Sequence, residues 1–415
     1  MKKFVIILLA ACLLLGCGVG YYSALQNQKG SGEPVALYDP ENVTGDAVEL
    51  QNEPAEGVEE TEGTEETALP ELKAIDYEAI RALYPLDAVV GDVDGREVTW
   101  GDYFYWLSSM GMQIESYLST MALYGQSLDW NDKLYDDSDQ TLAEYVVEMA
   151  QDYLRQLCVV EAVADENGAV LTAEDEAALA EELKANIVEY CGEGASEDDF
   201  FAYLEENYLS RGMYERINRF ERLYTNTFKA LYGEGGEKIP AEDAVRYLED
   251  NDYLCAAHIL FMTVDDNFEP LDEAAIAQKL ADAEAVSAEL RAITDPQKRA
   301  ERFAVLKEKY CEDPGGEVYP DGYLFVAGQM VTEFEDGIKA LEDYEVSEPV
   351  LTGYGYHVIM RLPLSAEMTI FNADGDARAL CADAQFNALL SERIDQSVLT
   401  LTDDLAAFDL TDYLV

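Results

Sequence analysis

Two histidines, His258 and His357, are the side chains in this 415-residue chain best suited to acid–base or hydrogen-bond chemistry near neutral pH. They occur in "LCAAHILF" and "TGYGYHVIMR", 99 positions apart, so no local spacing makes them ligands of one metal ion. With Asp313 they could in principle form a two-histidine, one-carboxylate iron site. The sequence contains no G-x-S-x-G, H-E-x-x-H or G-x-x-x-x-G-K-[ST] motif, which leaves these residues as the main candidates for chemistry.

The elements that must position the histidines form one short series. "YLCAAHILFMTV" predicts a β-strand, and two helical patterns follow it. A Gly/Pro-rich loop, "CEDPGGEVYPDG", leads to a short strand "YLFV", a helix "VTEFEDGIKAL" and a closing strand "HVIMRLPL". The order β-α-α-β-α-β predicts a small α/β domain over residues 251–364.

Four motifs in this segment resemble those of the parvulin-type peptidyl-prolyl cis–trans isomerases. They are "AAHIL", "KYCEDPGG", "LFVAGQMVTEFEDGIKAL" and "SEPVLTGYGYHVIMR", in the family's order over about 110 residues. The resemblance implies a four-stranded antiparallel sheet flanked by helices and isomerase activity on X-Pro peptide bonds. It also implies that the reaction needs no cofactor and no metal.

The resemblance assigns roles residue by residue. The candidate catalytic residues, which would form a hydrogen-bond network around the rotating carbonyl, are His258, Asp313, Thr352 and His357. The candidate substrate-binding residues, which would hold the proline ring, are Gln329, Met330 and Phe334, with Tyr323 and Phe325 as further walls. Two alternatives stay open: Asp313 could be a capping residue before a proline, and the Met and Phe, four positions apart, could be the core face of a helix.

Two loops differ from what the family would lead one to expect. Where the family often has G-x-L-G-x-F, "PDGYLF" puts Gly322 at the position of the Leu and Tyr323 at that of the second Gly, which changes the expected proline pocket. Phosphate-selective parvulins carry basic residues in the loop after the first strand. Here the loop reads "MTVDDNFEPLDE", so we expect ordinary, unphosphorylated X-Pro segments as substrates.

A helical block precedes the α/β segment. "AVVGDVDGREVT" predicts a hairpin at Asp94-Gly95, and several amphipathic helices follow, one with Thr172 as its N-cap and Gly192 at its end. We expect a helical chaperone-like domain over 76–250, and a helix in 365–415 that packs back on it. The predicted fold class is therefore α+β, a helical domain with an inserted parvulin domain, and this architecture resembles extracytoplasmic foldase lipoproteins.

The first residues indicate export. Residues 1–16 have the short basic start and apolar stretch of a signal peptide, and "LLGC" resembles a lipobox that would make Cys17 the lipidated first mature residue. An uncleaved anchor is the alternative. Residues 17–75 are rich in acidic residues and predict a disordered tether, so we expect the chain on the extracytoplasmic face of a bacterial membrane.

Composition narrows the possible partners. A net charge of −58 argues against nucleic acid, whose binding needs a basic footprint, and favours solubility and unfolded client proteins. The seven cysteines show neither a disulfide framework nor a C-x-x-C pair. We therefore expect a foldase that isomerises X-Pro bonds in exported proteins. The alternatives are a non-catalytic holdase whose parvulin-like domain is only a scaffold and, more remotely, an iron-dependent oxygenase.

Overall fold

The structure is a computed structural model that describes residues 73–123, 125–126, 128–133, 139–265, 267–319, 322–371 and 375–415. The predicted signal peptide, Cys17 and nearly all of the predicted tether lie outside these residues. Within them, no helix combines the length and apolar character needed to cross a bilayer. The chain divides into two compact units: the helical unit, up to residue 162 with 171–222 and 393–415, and the sheet unit, 163–170 with 223–392.

Among the residues described, a run of six helices separates the N-terminal hairpin from the strands of the second sheet. The helices are α1 (Tyr77–Arg81), α2 (Trp100–Leu123), α3 (Leu142–Asn167), α4 (Ala173–Cys191), α5 (Glu197–Glu206), α6 (Arg211–Tyr232), α7 (Ala241–Asp250), α8 (Glu273–Arg291), α9 (Pro296–Tyr310), α10 (Thr332–Lys339), α11 (Ala377–Gln396) and α12 (Asp403–Ala406). The strands are β1 (Val89–Val93), β2 (Arg96–Thr99), β3 (Leu254–Met262), β4 (Tyr323–Phe325), β5 (Val350–Leu351), β6 (Gly355–Leu362) and β7 (Leu399–Leu401).

The predicted hairpin is confirmed and belongs to a three-stranded sheet of order β2-β1-β7 in the helical unit. Its turn residues, Asp94 and Gly95, have φ values of 51° and 85°, which only a short polar residue and glycine adopt readily. The third strand, β7, pairs antiparallel with β1. The sequence did not predict β7, because its three residues carry too short a pattern to separate a strand from a tail.

Local capping explains where α4 begins and ends. The Thr172 side chain accepts a hydrogen bond from the amide of Asp175, and the Asp175 carboxylate accepts one from the amide of Thr172 in return. Gly192 follows the helix with φ 92°. Both ends lie where the sequence predicted them.

The tyrosine-rich start of α2 belongs to the core of the helical unit. Tyr103, Tyr105 and Trp106 are buried, and the ring of Trp106 stacks on that of Tyr153 at 4.5 Å between centroids. These rings therefore stabilise the core of the helical unit.

An ionic cluster, buried at Asp102 and half-buried at Arg216 and Glu161, joins three helices of the helical unit. The guanidinium of Arg216 makes two 2.7 Å hydrogen bonds to the carboxylate of Glu161 and a 3.0 Å bond to Asp102. The same guanidinium lies 3.3 Å from the sulfur of Cys158, and Asp102 also accepts a bond from the amide of Thr99. Opposite charges thus balance one another where little water reaches them.

The sheet unit contains a four-stranded antiparallel sheet of order β4-β3-β6-β5, which confirms the predicted fold class. One face of β3 and β6 packs on α8 and α9 through a core that includes Ile259, Val286, Phe303 and Val358. Alternation along the strands sends the neighbouring side chains to the other face. The predicted domain boundaries at 251, 364 and 365 stay predictions.

Candidate functional site

The register of the two central strands brings the histidines together. Opposite His258 on β3 lies Ile359 on β6, and opposite Leu260 lies His357, so the histidines are diagonal neighbours on the face away from α8 and α9. Their Nδ1 atoms are 3.4 Å apart, and both side chains are buried. Residues 99 positions apart in sequence therefore form one pair.

Thr352 and Asp313 extend the pair into a linear network of four side chains, and all four are candidate catalytic residues. The Thr352 hydroxyl lies 2.9 Å from Nε2 of His357, and an Asp313 carboxylate oxygen lies 2.8 Å from Nε2 of His258. The network therefore runs Thr352–His357–His258–Asp313.

A tight turn between β5 and β6 fixes Thr352. Its amide donates to the carbonyl of Gly355 at 2.9 Å, and its hydroxyl oxygen accepts from the amide of Tyr354 at 3.1 Å. Gly355 has φ 149°, and a Cβ there would lie 2.2 Å from the carbonyl oxygen of Phe261. Only glycine allows β6 to begin so close to β3.

Asp313 both caps a turn and belongs to the network. It follows α9 and caps the 3₁₀ turn Pro314–Glu317, with one oxygen accepting from the amide of Gly315 at 3.0 Å. The other oxygen accepts from His258 and also from the hydroxyl of Tyr323 at 2.5 Å. The capping alternative and the network assignment thus describe the same carboxylate.

These contacts set the charge states. Burial acts to raise the pKa of Asp313, but the hydrogen bonds from His258 and Tyr323 outweigh it and hold that pKa below its usual range. Burial, followed by the bond to Asp313, raises the pKa of Tyr323. Burial, with the neighbouring His258, lowers the pKa of His357 to about 3. The network therefore holds an ionised carboxylate at one end and a neutral imidazole near the other.

The donors and acceptors allow two proton arrangements. An ionised Asp313 only accepts, so Nε2 of His258 carries a proton. With His258 neutral, His357 donates from Nδ1 to His258 and accepts at Nε2 from Thr352. With His258 protonated on both nitrogens, the direction reverses, and His357 donates to the Thr352 oxygen. One proton on His258 therefore determines whether the Thr352 hydroxyl proton is bound to His357 or free to donate elsewhere.

Aromatic rings cover the network. Phe334 lies edge-on to both imidazoles, at 5.3 Å from His258 and 5.5 Å from His357, and Met330 packs at the same cluster. Phe325 is fully buried behind Phe334, at 6.1 Å between centroids. These residues provide an apolar wall beside the hydrogen-bond network, with Phe325 in its second layer.

Gln329 is the predicted site residue that the structure does not bring to the network. Its side-chain oxygen accepts a hydrogen bond from the amide of Val326 at 3.0 Å and so closes the turn before α10. Sequence reasoning missed Glu335, whose buried carboxylate accepts from the amides of Gly328 and Met330. A buried Glu one turn into a helix is a signal that could have been noticed, since such a residue needs partners.

The altered "PDGYLF" loop places a tyrosine at the site. Gly322 has φ 107°, and a Cβ there would lie 2.9 Å from the carbonyl oxygen of Ala256. The next residue, Tyr323, packs its ring 5.4 Å from His258, 4.9 Å from Tyr319 and 5.5 Å from Phe371. An aromatic cluster thus stands beside His258, and Tyr319 and Phe371 were not foreseen from the sequence.

The same geometry bears on the iron alternative. Nε2 of His258 is directed at Asp313, Nε2 of His357 at Thr352, and the two Nδ1 atoms face one another. Among the residues that the structure describes, no group of three or more His, Cys, Asp or Glu is arranged to hold a metal ion. The iron-dependent oxygenase therefore has no support from this arrangement.

Comparison with known proteins gives a family match over the sheet unit. Residues 258–362 match the family model described as "Rotamase: PPIC-type PPIASE domain". The chain is 31% identical over 149 residues to "Foldase protein PrsA" of Geobacillus kaustophilus, covering 34% of this chain and 51% of that protein. It is 26% identical over 200 residues to "Foldase protein PrsA 4" of Bacillus cereus, covering 42% and 69%.

Comparison with solved structures gives a match to the crystal structure of PrsA from Bacillus subtilis. That match has 21% sequence identity and a TM-score of 0.23, and it covers 64% of this chain and 91% of the other. The chain matches about half the length of the Geobacillus kaustophilus relative.

Proposed function

Because residues 258–362 form a parvulin-type domain, related in sequence to the corresponding part of PrsA foldases, we propose that this chain is a foldase that isomerises X-Pro peptide bonds. The observation that carries the proposal is the Thr352–His357–His258–Asp313 network beside the apolar wall of Phe334 and Met330. A polar network and an apolar surface side by side suit a substrate that is half amide and half hydrocarbon ring.

The reaction needs a twisted amide and no covalent step. Rotation about C–N costs about 18–20 kcal/mol because resonance is lost, and it takes tens to hundreds of seconds for X-Pro bonds in unfolded chains. The wall of Phe334 and Met330 holds the pyrrolidine ring and removes water from the amide. Since water favours the charge-separated resonance form, its removal lowers the barrier.

The network orients the carbonyl as it leaves the amide plane. Thr352 is the member of the network whose hydroxyl proton is released when the hydrogen bonds reverse direction, so it is the donor that can follow a moving carbonyl oxygen. Asp313 and Tyr323 hold the far end of the network in place. Because these side chains are held in place before the substrate binds, the hydroxyl donor is preorganised next to the carbonyl.

The charges near the site favour unphosphorylated substrates. The loop between β3 and α8 carries Asp265, Glu269 and Asp272 and contains no Lys or Arg. A phosphate next to the proline would be repelled there. Ordinary X-Pro segments of unfolded or newly exported proteins are therefore the proposed substrates.

The proposed location is the extracytoplasmic face of a bacterial membrane. The lipobox-like "LLGC" supports lipidation at Cys17, and the acidic composition of residues 17–75 supports a disordered tether between lipid and folded chain. Mass spectrometry of the purified mature N-terminus tests this part. A diacylated Cys17 at the N-terminus supports the lipid anchor, and an unmodified chain that begins at Met1 overturns lipidation and leaves the uncleaved anchor.

The isomerase proposal is tested with a proline-containing tetrapeptide by NMR exchange spectroscopy, on full-length wild type, His258→Ala and His357→Ala. We expect wild type to exceed the uncatalysed rate and each variant to lose about tenfold or more in kcat/KM, because each leaves a buried partner unsatisfied. Val305→Ala, an exposed apolar position on α9, serves as the matched control. A wild-type rate equal to the uncatalysed rate overturns the enzyme and leaves the non-catalytic holdase.

A further inference from the structure

An exposed aromatic residue occupies a strained position next to the candidate site. Phe268 lies in the loop between β3 and α8, its side chain is 67% exposed, and its φ is 60°. A left-handed conformation is unfavourable for a residue with a Cβ and is usual for glycine. Exposure and strain at one bulky apolar residue call for a reason other than folding stability.

The loop holds Phe268 in a defined place. One carboxylate oxygen of Asp265 accepts from the amides of Asn267 at 2.8 Å and Glu269 at 3.0 Å. The Asp265 amide donates to the carbonyl of Glu269 at 2.9 Å, and Leu271 donates to Thr263 at the same distance. Backbone bonds therefore brace the loop on both sides of the exposed ring.

The ring of Phe268 contacts a second exposed ring, that of Tyr354. The two centroids lie 6.3 Å apart at an interplanar angle of 68°, and Tyr354 is itself 45% exposed. The carbonyl of Tyr354 accepts from the amide of Thr263, and its amide donates to the hydroxyl oxygen of Thr352. The backbone of Tyr354 is thus bonded directly to the Thr352 end of the network, and Phe268 is connected to that end through its ring contact with Tyr354.

The two rings match a particular partner. Aromatic rings prefer centroid separations of 4.5–7 Å in edge-to-face or offset contact, so an edge-to-face pair that is still exposed can accept a third apolar ring. Single exposed apolar residues are common on protein surfaces and need no explanation. Here two of them meet, Phe268 has a left-handed φ, and the backbone of Tyr354 is bonded to Thr352 of the network.

We propose that Phe268 and Tyr354 form an aromatic subsite for the side chain of a bulky apolar residue that flanks the isomerised proline. The subsite rests on the proposed function, and it defines the client segments in more detail. An aromatic or large aliphatic residue next to the proline packs against the two rings while the pyrrolidine ring contacts Phe334 and Met330. Segments with small residues around proline lack this contact.

The experiment compares three peptides on the full-length protein: Ala-Ala-Pro-Ala, Ala-Phe-Pro-Ala and Ala-Ala-Pro-Phe. Wild type is expected to prefer at least one phenylalanine peptide over the alanine peptide by about two- to tenfold in kcat/KM and in Kd, the range of one aromatic contact. Turnover is measured by NMR exchange and binding by chemical-shift titration. Binding tests the subsite even if the domain does not catalyse.

Phe268→Gly is the decisive variant, because glycine removes the ring and adopts φ 60° without strain. The ratio of kcat/KM for a phenylalanine peptide to that for the alanine peptide is expected to fall towards one, while the Tm stays at or above that of wild type. Phe268→Tyr is expected to keep most of the preference. Val318→Ala, exposed and apolar in the same unit, is the matched control and keeps the wild-type ratio.

The outcomes separate the two proposals. If the phenylalanine peptides bind no better than the alanine peptide, or if Phe268→Gly keeps the full preference, the subsite is wrong whatever the turnover. If wild type shows the preference in Kd but no turnover above the uncatalysed rate, the subsite stands and the isomerase proposal fails. A lower Tm with equal losses for all three peptides would assign Phe268 a structural role and overturn the subsite.

Discussion

Each unit of this chain contains a buried polar cluster, and the two clusters are built in opposite ways. In the helical unit, Arg216 is surrounded by the carboxylates of Glu161 and Asp102, so each charge has a charged partner. In the sheet unit, the single carboxylate of Asp313 is followed by two imidazoles and a hydroxyl. The first cluster has one arrangement of protons, whereas the second has two.

The difference separates a cluster whose hydrogen-bond directions are fixed from one whose directions can reverse. An arginine paired with two carboxylates at 2.7–3.0 Å cannot exchange donor and acceptor roles, because guanidinium only donates and carboxylate only accepts. Imidazole and hydroxyl groups do both. A buried network that can reverse direction, beside an apolar wall, is suited to a substrate whose carbonyl moves.

The largest expected effect tests the neutrality of His357. Its pKa of about 3 lies below the ordinary value of 6.5, so the unfolded chain takes up a proton in acid before the folded chain does. The stability that His357 contributes as a neutral group is complete above pH 6.5 and falls as the pH drops towards 3, by about 1.4 kcal/mol per unit and about 5 kcal/mol in all.

Histidine NMR is the measurement, and two histidines make it simple. In ¹⁵N-histidine spectra of the full-length protein, we expect His357 to stay neutral until about pH 3. His258→Ala identifies which signals belong to His357. A His357 midpoint near 6.5 would show that the sheet-unit network carries charge as the helical cluster does, and the contrast between the two would be lost.

The next effect concerns the charged cluster. Arg216→Met leaves the buried carboxylate of Asp102 without its charged partner and leaves Glu161 with the longer, 3.9 Å pair to Arg96, and we expect it to lower the free energy of unfolding by about 3 kcal/mol. Arg219→Met is the matched control on the same helix, since its pair with Glu176 is half exposed and is worth at most about 1 kcal/mol. Urea unfolding checks both. Equal losses for the two variants would mean that burial does not distinguish the clusters.

Asp313→Asn changes the other end of the comparison. The neutral amide oxygen accepts hydrogen bonds from His258 and Tyr323 more weakly than an ionised carboxylate does. We expect the hydrogen bonds that orient the network to weaken by about 1.5–3 kcal/mol. We expect kcat/KM for an X-Pro peptide to fall about ten- to hundredfold with the fold retained. Glu312→Gln, the neighbouring exposed carboxylate, is the control. An unchanged rate in Asp313→Asn would make the carboxylate a turn cap and nothing more.

Tyr323→Phe has the smallest expected effect and sharpens the comparison most. It removes one hydrogen bond to Asp313 and keeps the ring against His258. We expect the loss of this bond to cost about 1 kcal/mol and to lower kcat/KM about fivefold. Because the bond lowers the pKa of Asp313, the variant's activity should also decline at a higher pH on the acid side. If activity declines at the same acidic pH in the variant and in wild type, the hydroxyl of Tyr323 has no positioning role.

Sequence reasoning identified the central residues of the site because each motif carried its own local pattern. His258 lies on a strand pattern, Asp313 in a Gly/Pro-rich loop and Thr352 in a turn before a strand, and the structure brings all three together with His357. The direction in which a side chain points was harder to predict. No periodicity tells whether the side chain of Gln329 closes its own turn or faces the network.

Tyr323 and Phe268 show the limits more clearly. The sequence placed Tyr323 as a wall of the proline pocket, and its ring does stand beside His258, but its hydroxyl bond to Asp313 depends on the path of the loop between them. Phe268 gave no signal, because neither its φ of 60° nor its exposure can be read from an isolated aromatic in a polar loop. Both features come from backbone geometry.

The pairing of β1 with β7 has a consequence for the order in which this protein folds. The amide of Val398 bonds to the side chain of Asp94, 304 positions earlier, and β7 completes the sheet of the helical unit beside that contact. A chain that emerges from its N-terminus first must therefore wait for nearly its whole length before this sheet can close. The sheet of the sheet unit, contained in residues 254–362, can form earlier. The closure of the β2-β1-β7 sheet is therefore a late step in the folding of a protein that we propose speeds the folding of others.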